Sequence, residues 1–151
     1  MIKIITVGSI KEKYLKDAID EYTKRLSKYT NIEIVEVKDE GLVEPQKAIS
    51  LEEEKILKHI NDKDYLITLE IEGKELSSEE FAKKLDNIQL EASNITFVIG
   101  GSYGLSQNIK DRSKLHLSFS KMTFPHQLFR VLLLEQIYRA FKINNNESYH
   151  K

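Results

Sequence analysis

The sequence predicts an α/β protein, a mostly parallel sheet with helices on both faces. Three observations carry that prediction. Five short runs rich in β-branched and other apolar residues (Ile2–Val7, Ile32–Val37, Tyr65–Ile71, Ile95–Ile99 and Leu115–Phe119) have the length and composition of strands. Segments with helical spacing of apolar residues alternate with them, the pattern of a parallel sheet wrapped by helices. Two of the strands run directly into loops suited to a ligand, Gly100-Gly101-Ser102-Tyr103-Gly104 and Ser120-Lys121-Met122-Thr123-Phe124-Pro125. The carboxyl ends of strands are where open α/β sheets bind small molecules.

The elements follow in order. Ile2–Val7 is nearly continuous in apolar residues, as a strand covered on both faces should be, and Gly8-Ser9 closes it. Lys11–Tyr29 reads as an amphipathic helix with Leu15, Ala18, Ile19, Tyr22, Leu26 and Tyr29 on one stripe. Tyr14, Tyr22 and Tyr29 are expected to pack at the core edge. Ile32–Val37 is the second strand, and Asp39–Pro45 a loop. A helix from about Pro45 to Ile60 should turn Ala48, Ile49, Ile56, Leu57 and Ile60 inward, leaving Glu52-Glu53-Glu54 as a solvated face. After strand Tyr65–Ile71, Ser77 and Glu80 form a capping box ahead of a helix whose stripe is Phe81, Leu85 and Ile88. Strand Ile95–Ile99, the glycine loop, a short helix and the alternating strand Leu115–Phe119 complete the sheet.

The last helix, from near Pro125, differs from the others. Phe129, Val131, Leu133, Leu134, Ile137, Tyr138, Ala140 and Phe141 cover an arc of about 200° at 100° per residue. Leu128 and Leu132 lie outside that arc, beside an i, i+4 pair of Glu135 and Arg139. A helix that only covers a sheet needs a narrower stripe. The surplus is most economically buried by a second copy of the chain, so a homodimer is expected. Arg130 falls in the middle of the apolar arc, where a guanidinium has to find a carboxylate, a carbonyl or a ligand.

Composition narrows the function. With 151 residues, 31% charged and 40% hydrophobic, the chain is long enough for one domain with a buried core. No apolar run approaches the roughly 20 residues of a membrane span, and Ile2–Val7 is too short for the apolar region of a signal peptide. There are no cysteines, which suits a reducing cytoplasm. His59, His116, His126 and His150 have no metal-ligand spacing, so no metal is expected. His59 and His116 read as structural or surface residues, and His126 as packing or capping at a helix start. Residues 1–109 hold 15 Lys/Arg against 21 Asp/Glu, whereas residues 110–151 hold eight against three. A basic final quarter next to the glycine loop suits an anionic partner such as nucleic acid, and equally a solvated helix surface.

The glycine loop does not fit the common nucleotide motifs. Its spacing is GGxxG, position 121 is lysine where a dinucleotide site wants an acid, and no Gly-Lys-Ser/Thr follows. No serine or cysteine nucleophile stands with a base, and no carboxylate pair stands out.

Several separated segments do match a known pattern in the same order. They are Val98–Leu105 (VIGGSYGL), Ser118–His126 (SFSKMTFPH), Glu135–Phe141 (EQIYRAF) and the terminal Tyr149-His150-Lys151. Val7-Gly8 and Tyr22-Thr23-Lys24-Arg25-Leu26 extend the match to the N-terminus. Together they resemble the ribosomal large-subunit RNA methyltransferase H (RlmH) family of the SPOUT, or α/β-knot, superfamily, along essentially the whole chain.

The resemblance implies a single SPOUT methyltransferase domain over residues 1–151 whose C-terminal half is tied in a deep trefoil knot, an exception to the rule that chains are unknotted. It implies S-adenosyl-L-methionine as cofactor, held by Leu69, Gly101 and the run Ser120, Lys121, Met122, Thr123, Phe124 and Pro125. Read without the resemblance, Leu69 is strand core. The implied partners are a second copy of the chain and 23S rRNA within the assembled ribosome. The implied reaction is methylation at N3 of a pseudouridine in the stem-loop at the intersubunit bridge. Tyr149, His150 and Arg139 are the expected catalytic group, with Arg139 and Lys151 on RNA phosphate. Without the resemblance, the terminal tripeptide is an ordinary frayed end. Two other readings stand beside this one: a knotted methyltransferase acting on tRNA or another rRNA site, and a ribosome-binding factor without turnover.

Overall fold

A computed structural model describes residues 1–151. Five strands, β1 (Ile2–Val7), β2 (Ile32–Val37), β3 (Tyr65–Glu75), β4 (Ile95–Ile99) and β5 (Leu115–Ser118), form one sheet in the order β2-β1-β4-β3-β5. Every pairing is parallel. Parallel pairing places all five carboxyl ends on one side. Because β3 lies between β4 and β5, the two loops that follow β4 and β5 flank the end of β3.

Alternation along the strands divides the core. Ile2, Ile4, Ile67, Phe97 and Leu117 face one way, onto α1 (Lys13–Leu26), α3 (Ser78–Glu91) and α5 (His126–Asn144). Ile5, Val7, Leu66 and Val98 face the other way, onto α2 (Pro45–Leu57) and α4 (Gln107–Arg112). Successive side chains in a strand point to opposite faces, so near-continuous apolar strands are what helices on both sides require. α5 lies against both α1 and α3, with Leu133, Leu134 and Ile137 fully buried. Its aromatic side chains extend the layer. The Phe141 ring stacks on Tyr29 at 5.4 Å, and Tyr138 meets Tyr22 edge-on at 6.2 Å.

The capping box of α3 is formed as its sequence indicates: Ser77 Oγ accepts from Glu80 N at 3.0 Å, and Glu80 Oε1 from Ser77 N at 2.8 Å. Arg130 is 1% exposed and finds both a carboxylate and a carbonyl, donating to Glu36 Oε2 at 2.5 Å and Gly8 O at 2.9 Å.

Three expectations need correction. Tyr14, in the first turn of α1, is not at the core edge but 69% exposed. β3 does not stop at Ile71. It bends after Leu69 and rejoins β5 at Lys74 and Glu75. At the rejoined stretch a Cβ on Gly73 would stand 2.7 Å from the His116 carbonyl oxygen, so only glycine lets the strands meet there. Glu52 is not solvated. It is 3% exposed, one helical turn from both Ala48 and Ile56, which are also buried.

Candidate functional site

β4 ends at Ile99, and Gly101 and Gly104 then close a tight turn through the Gly104 N–H on the Gly101 carbonyl at 3.1 Å. Gly104 has φ +83°, a left-handed conformation that favours glycine. On the far side of β3, the loop after β5 is folded by its own hydroxyls. Ser118 Oγ donates to Ser120 O at 3.1 Å, and Ser120 Oγ accepts from Met122 N at 3.0 Å. Between these two loops the bent part of β3 supplies the third wall.

The result is a cleft of about 480 Å³ at the carboxyl edge of the sheet. Leu69, Gly101, Ser120, Met122, Thr123 and Phe124 all line it. The two remaining residues of the expected set do not. Lys121 is exposed beside the cleft, and Pro125 caps α5 and lines a neighbouring cleft instead. Leu69 is half-buried rather than sealed in the strand core, so its side chain is available as a wall. Phe119, Phe124 and Phe129 pack together behind the loop, with Phe129 at 4.9 Å from Phe119 and 5.9 Å from Phe124. The lining combines apolar side chains with the glycines of the turn and the hydroxyls of the second loop, as small-molecule sites do.

Charge enters at one rim. Glu70 lines the cleft and is held from behind by His116 Nδ1, Thr68 Oγ1 (2.6 Å) and, more distantly, Lys110 Nζ (3.9 Å). His126 lines both this cleft and the neighbouring one and makes no side-chain hydrogen bond, so of the two expected roles, packing or capping, it does not cap α5.

The architecture and the full length of the chain can be compared with known proteins. The family described as "Predicted SPOUT methyltransferase" matches residues 1–150. A relative from Methanococcus maripaludis is 57% identical over 99% of both chains. One from Clostridium botulinum (strain Alaska E43), named ribosomal RNA large subunit methyltransferase H, is 56% identical over 99% of both. The chain belongs to the RlmH family of SPOUT methyltransferases. A solved structure, that of a probable methylase family protein from Haemophilus influenzae Rd KW20, shares the fold with a TM-score of 0.55 at 15% identity, covering 99% of this chain and 70% of that one.

For a SPOUT methyltransferase the site must hold a methyl donor, and the cleft fits one. Main chain is laid bare at the glycine turn, and apolar side chains from three elements face it.

The terminal residues lie elsewhere. Tyr149 donates to Glu135 Oε1 at 2.8 Å and packs edge-on against Tyr138 at 5.0 Å. Arg139 bridges Glu135 at 2.9 Å and reaches His150 Nδ1 at 3.0 Å. A guanidinium can only donate, so His150 Nδ1 accepts and its Nε2–H faces Glu79 Oε1 at 2.6 Å. The structure therefore brings Tyr149, His150 and Arg139 together, on α5 and α3, but none of them lines the cleft of its own chain. Arg139 is 14 positions from Pro125 along α5, about 20 Å at 1.5 Å per residue. Lys151 is exposed and makes no ion pair.

Sequence reasoning missed Glu70, Lys110 and Phe129 as lining residues, and Glu52 as a buried neighbour of the glycine turn. Glu52 had a readable signal, since positions 48, 52 and 56 share one helix face. Glu70 and Lys110 had none, because the bend in β3 that aims Glu70 is a contact with β5, and Lys110 reaches the cleft from α4.

Proposed function

We propose that this chain is an S-adenosylmethionine-dependent methyltransferase of large-subunit rRNA. It acts as a cytoplasmic homodimer on N3 of a pseudouridine in 23S rRNA, at the intersubunit stem-loop of assembled ribosomes. The observation that carries the reading is the convergence of the glycine turn and the Ser120–Phe124 loop over the bent end of β3, in a chain of this family. Names carried by its relatives support the rRNA substrate. The order β2-β1-β4-β3-β5, with α5 returning between α1 and α3, is consistent with the trefoil knot of the superfamily and with one domain over 1–151.

When bound, S-adenosylmethionine supplies an electrophilic methyl on a sulfonium. Leu69, Met122 and Phe124 enclose its apolar parts, and main-chain groups of the two loops meet its polar edges. Held there, it would supply its methyl to N3 and leave as the neutral thioether, and the N3 proton would have to go to a base. Tyr149 is unsuited to be that base. Burial and its bond to Glu135 push its phenol up to about 12, so it donates at neutral pH. His150 is the member of the tail with a ring nitrogen able to accept a proton, Nδ1, once that nitrogen lets go of Arg139. Arg139 and Lys151 supply positive charge for RNA phosphate.

Since the tail does not reach its own cleft, it is assigned to the partner's cleft within a homodimer. Leu128, 39% exposed, and Leu132 supply apolar surface for that contact.

Ribosomes lacking the modification, incubated with the protein and S-adenosylmethionine, should gain one methylated pseudouridine by nucleoside mass spectrometry. Deleting Tyr149–Lys151 should abolish that gain while cofactor binding survives in calorimetry. Methylation of tRNA, or of another rRNA position, would replace the substrate assigned here. Absence of cofactor binding would make the chain a ribosome-binding factor.

A further inference from the structure

Glu52 is one of the few buried charged residues of the chain, and the reaction outlined above makes no use of it. It rises from α2 to the underside of the glycine turn. A Cβ built on Gly101 would lie 3.2 Å from Glu52 Oε1 and 3.4 Å from Oε2, so the carboxylate sits directly behind a residue that walls the cleft. Its one hydrogen bond comes from Glu40 N to Oε2 at 2.9 Å. No lysine, arginine or histidine pairs with it. The nearby Lys55 is engaged by Glu40 instead. A buried carboxylate is ordinarily paired, because leaving water is costly for an isolated charge. Here the carboxylate lies behind Gly101, a residue that lines this cleft and its neighbour, while Glu52 itself lines neither.

We propose that Glu52 is a specificity-determining residue of that cleft. Its carboxylate, buried against Gly101 without a cation of its own, favours a sulfonium methyl donor over the neutral thioether that methyl transfer leaves behind. This inference rests on the S-adenosylmethionine reading. Donor and product carry the same adenosine, ammonium and carboxylate groups and differ in charge only at sulfur. The ionised form of Glu52 therefore acts on the difference between them. Burial strengthens and prolongs that action, since the field crosses protein rather than water.

The surroundings of Glu52 suit a charge completed by its ligand. Burial first, and then the nearby carboxylates of Asp39 and Glu40, push its pKa up, against the opposing hydrogen bond from Glu40 N. The other charged groups near it are Lys55 and Lys38, which act on Glu40, and across the turn Glu70, Glu72 and Lys110 in the cleft. A cation entering the cleft draws the raised pKa of Glu52 back down, so donor binding expels a proton that product binding retains.

The test is titration calorimetry of the full-length protein with S-adenosylmethionine and with S-adenosylhomocysteine. Each is run in buffers of different ionisation enthalpy, from about pH 5 to 8. Wild-type protein should release more protons with the donor than with the product, and its preference for the donor should grow as pH rises. Glu52→Gln, similar in shape and checked for folding by thermal melting, should lose the difference in proton release. Its donor affinity should fall about fivefold or more while product affinity stays put. Equal proton release for both compounds in the wild-type protein overturns the inference whatever the variant does. So does a variant that weakens donor and product alike. Wild-type protein that binds neither compound overturns the cofactor reading itself, and this inference with it.

Discussion

Arg130 and Glu147 show two ways a charged side chain is accommodated here. Arg130 is enclosed in the apolar layer of α5, and its guanidinium is fixed by Glu36 and the carbonyl of Gly8. It thereby pins the start of α5 to the ends of β1 and β2. Glu147 works at the surface. It accepts from Tyr29 Oη at 2.6 Å and from Lys142 Nζ at 3.1 Å, tying the C-terminal tail to the end of α1. The Tyr29 hydroxyl, followed by Lys142, lowers its pKa from 4.5 to about 2. A carboxyl depressed on folding stabilises the native state above its unfolded pKa, and that contribution disappears as pH falls through the folded value. Glu147→Gln should therefore melt below the wild type at neutral pH, and the gap should close between about pH 4.5 and 2, as followed by circular dichroism. A gap independent of pH would show that packing, not charge, accounts for the difference.

Among the elements, β3 positions the site. Its first residues pair with both β4 and β5, and then the strand bends so that Leu69–Glu72 line the cleft before Lys74 rejoins β5. Gly73 makes the return possible. Gly73→Ala would drive a methyl into the His116 carbonyl and part the strands. Crowding of this kind typically costs about 1–3 kcal/mol. The variant should also bind S-adenosylmethionine more weakly, because Leu69 and Glu70 move with the bend. Chemical denaturation and calorimetry would measure the two effects, and unchanged binding in a destabilised variant would separate the bend from the site.

At the scale of the whole molecule, the cleft and the terminal cluster stand apart. Arg139, Tyr149 and His150 are organised by Glu135 and Glu79, well along α5 from the glycine turn. A second subunit placed against the uncovered side of α5 gives Leu128 and Leu132 a dry neighbour and offers each cleft a tail. Leu132→Glu should put a charge into that contact. Sedimentation at micromolar concentration should then show a monomer, and methylation should fail although S-adenosylmethionine still binds. A wild-type monomer under the same conditions would remove the dimer from the account.

Most strands and helices were legible in the order of apolar and polar residues alone. β1, β2 and β4 have the bounds their apolar runs mark, and the α3 cap forms where Ser77 and Glu80 stand, because backbone periodicity and capping are local physics. The sequence also marked the two loops that flank the cleft, through the glycines after β4 and the run after β5 that begins at Ser120. Packing between distant segments placed β3 between β4 and β5, which sets those loops on either side of its end. It alone decided that β3 bends beyond Leu69, that Glu52 is buried beneath Gly101, and that the terminal tripeptide rests on α5 instead of in the cleft. Strand order, bends and the burial of a single carboxylate depend on contacts between residues far apart in the chain. No local pattern of apolar and polar residues encodes which of several strands will be the neighbour.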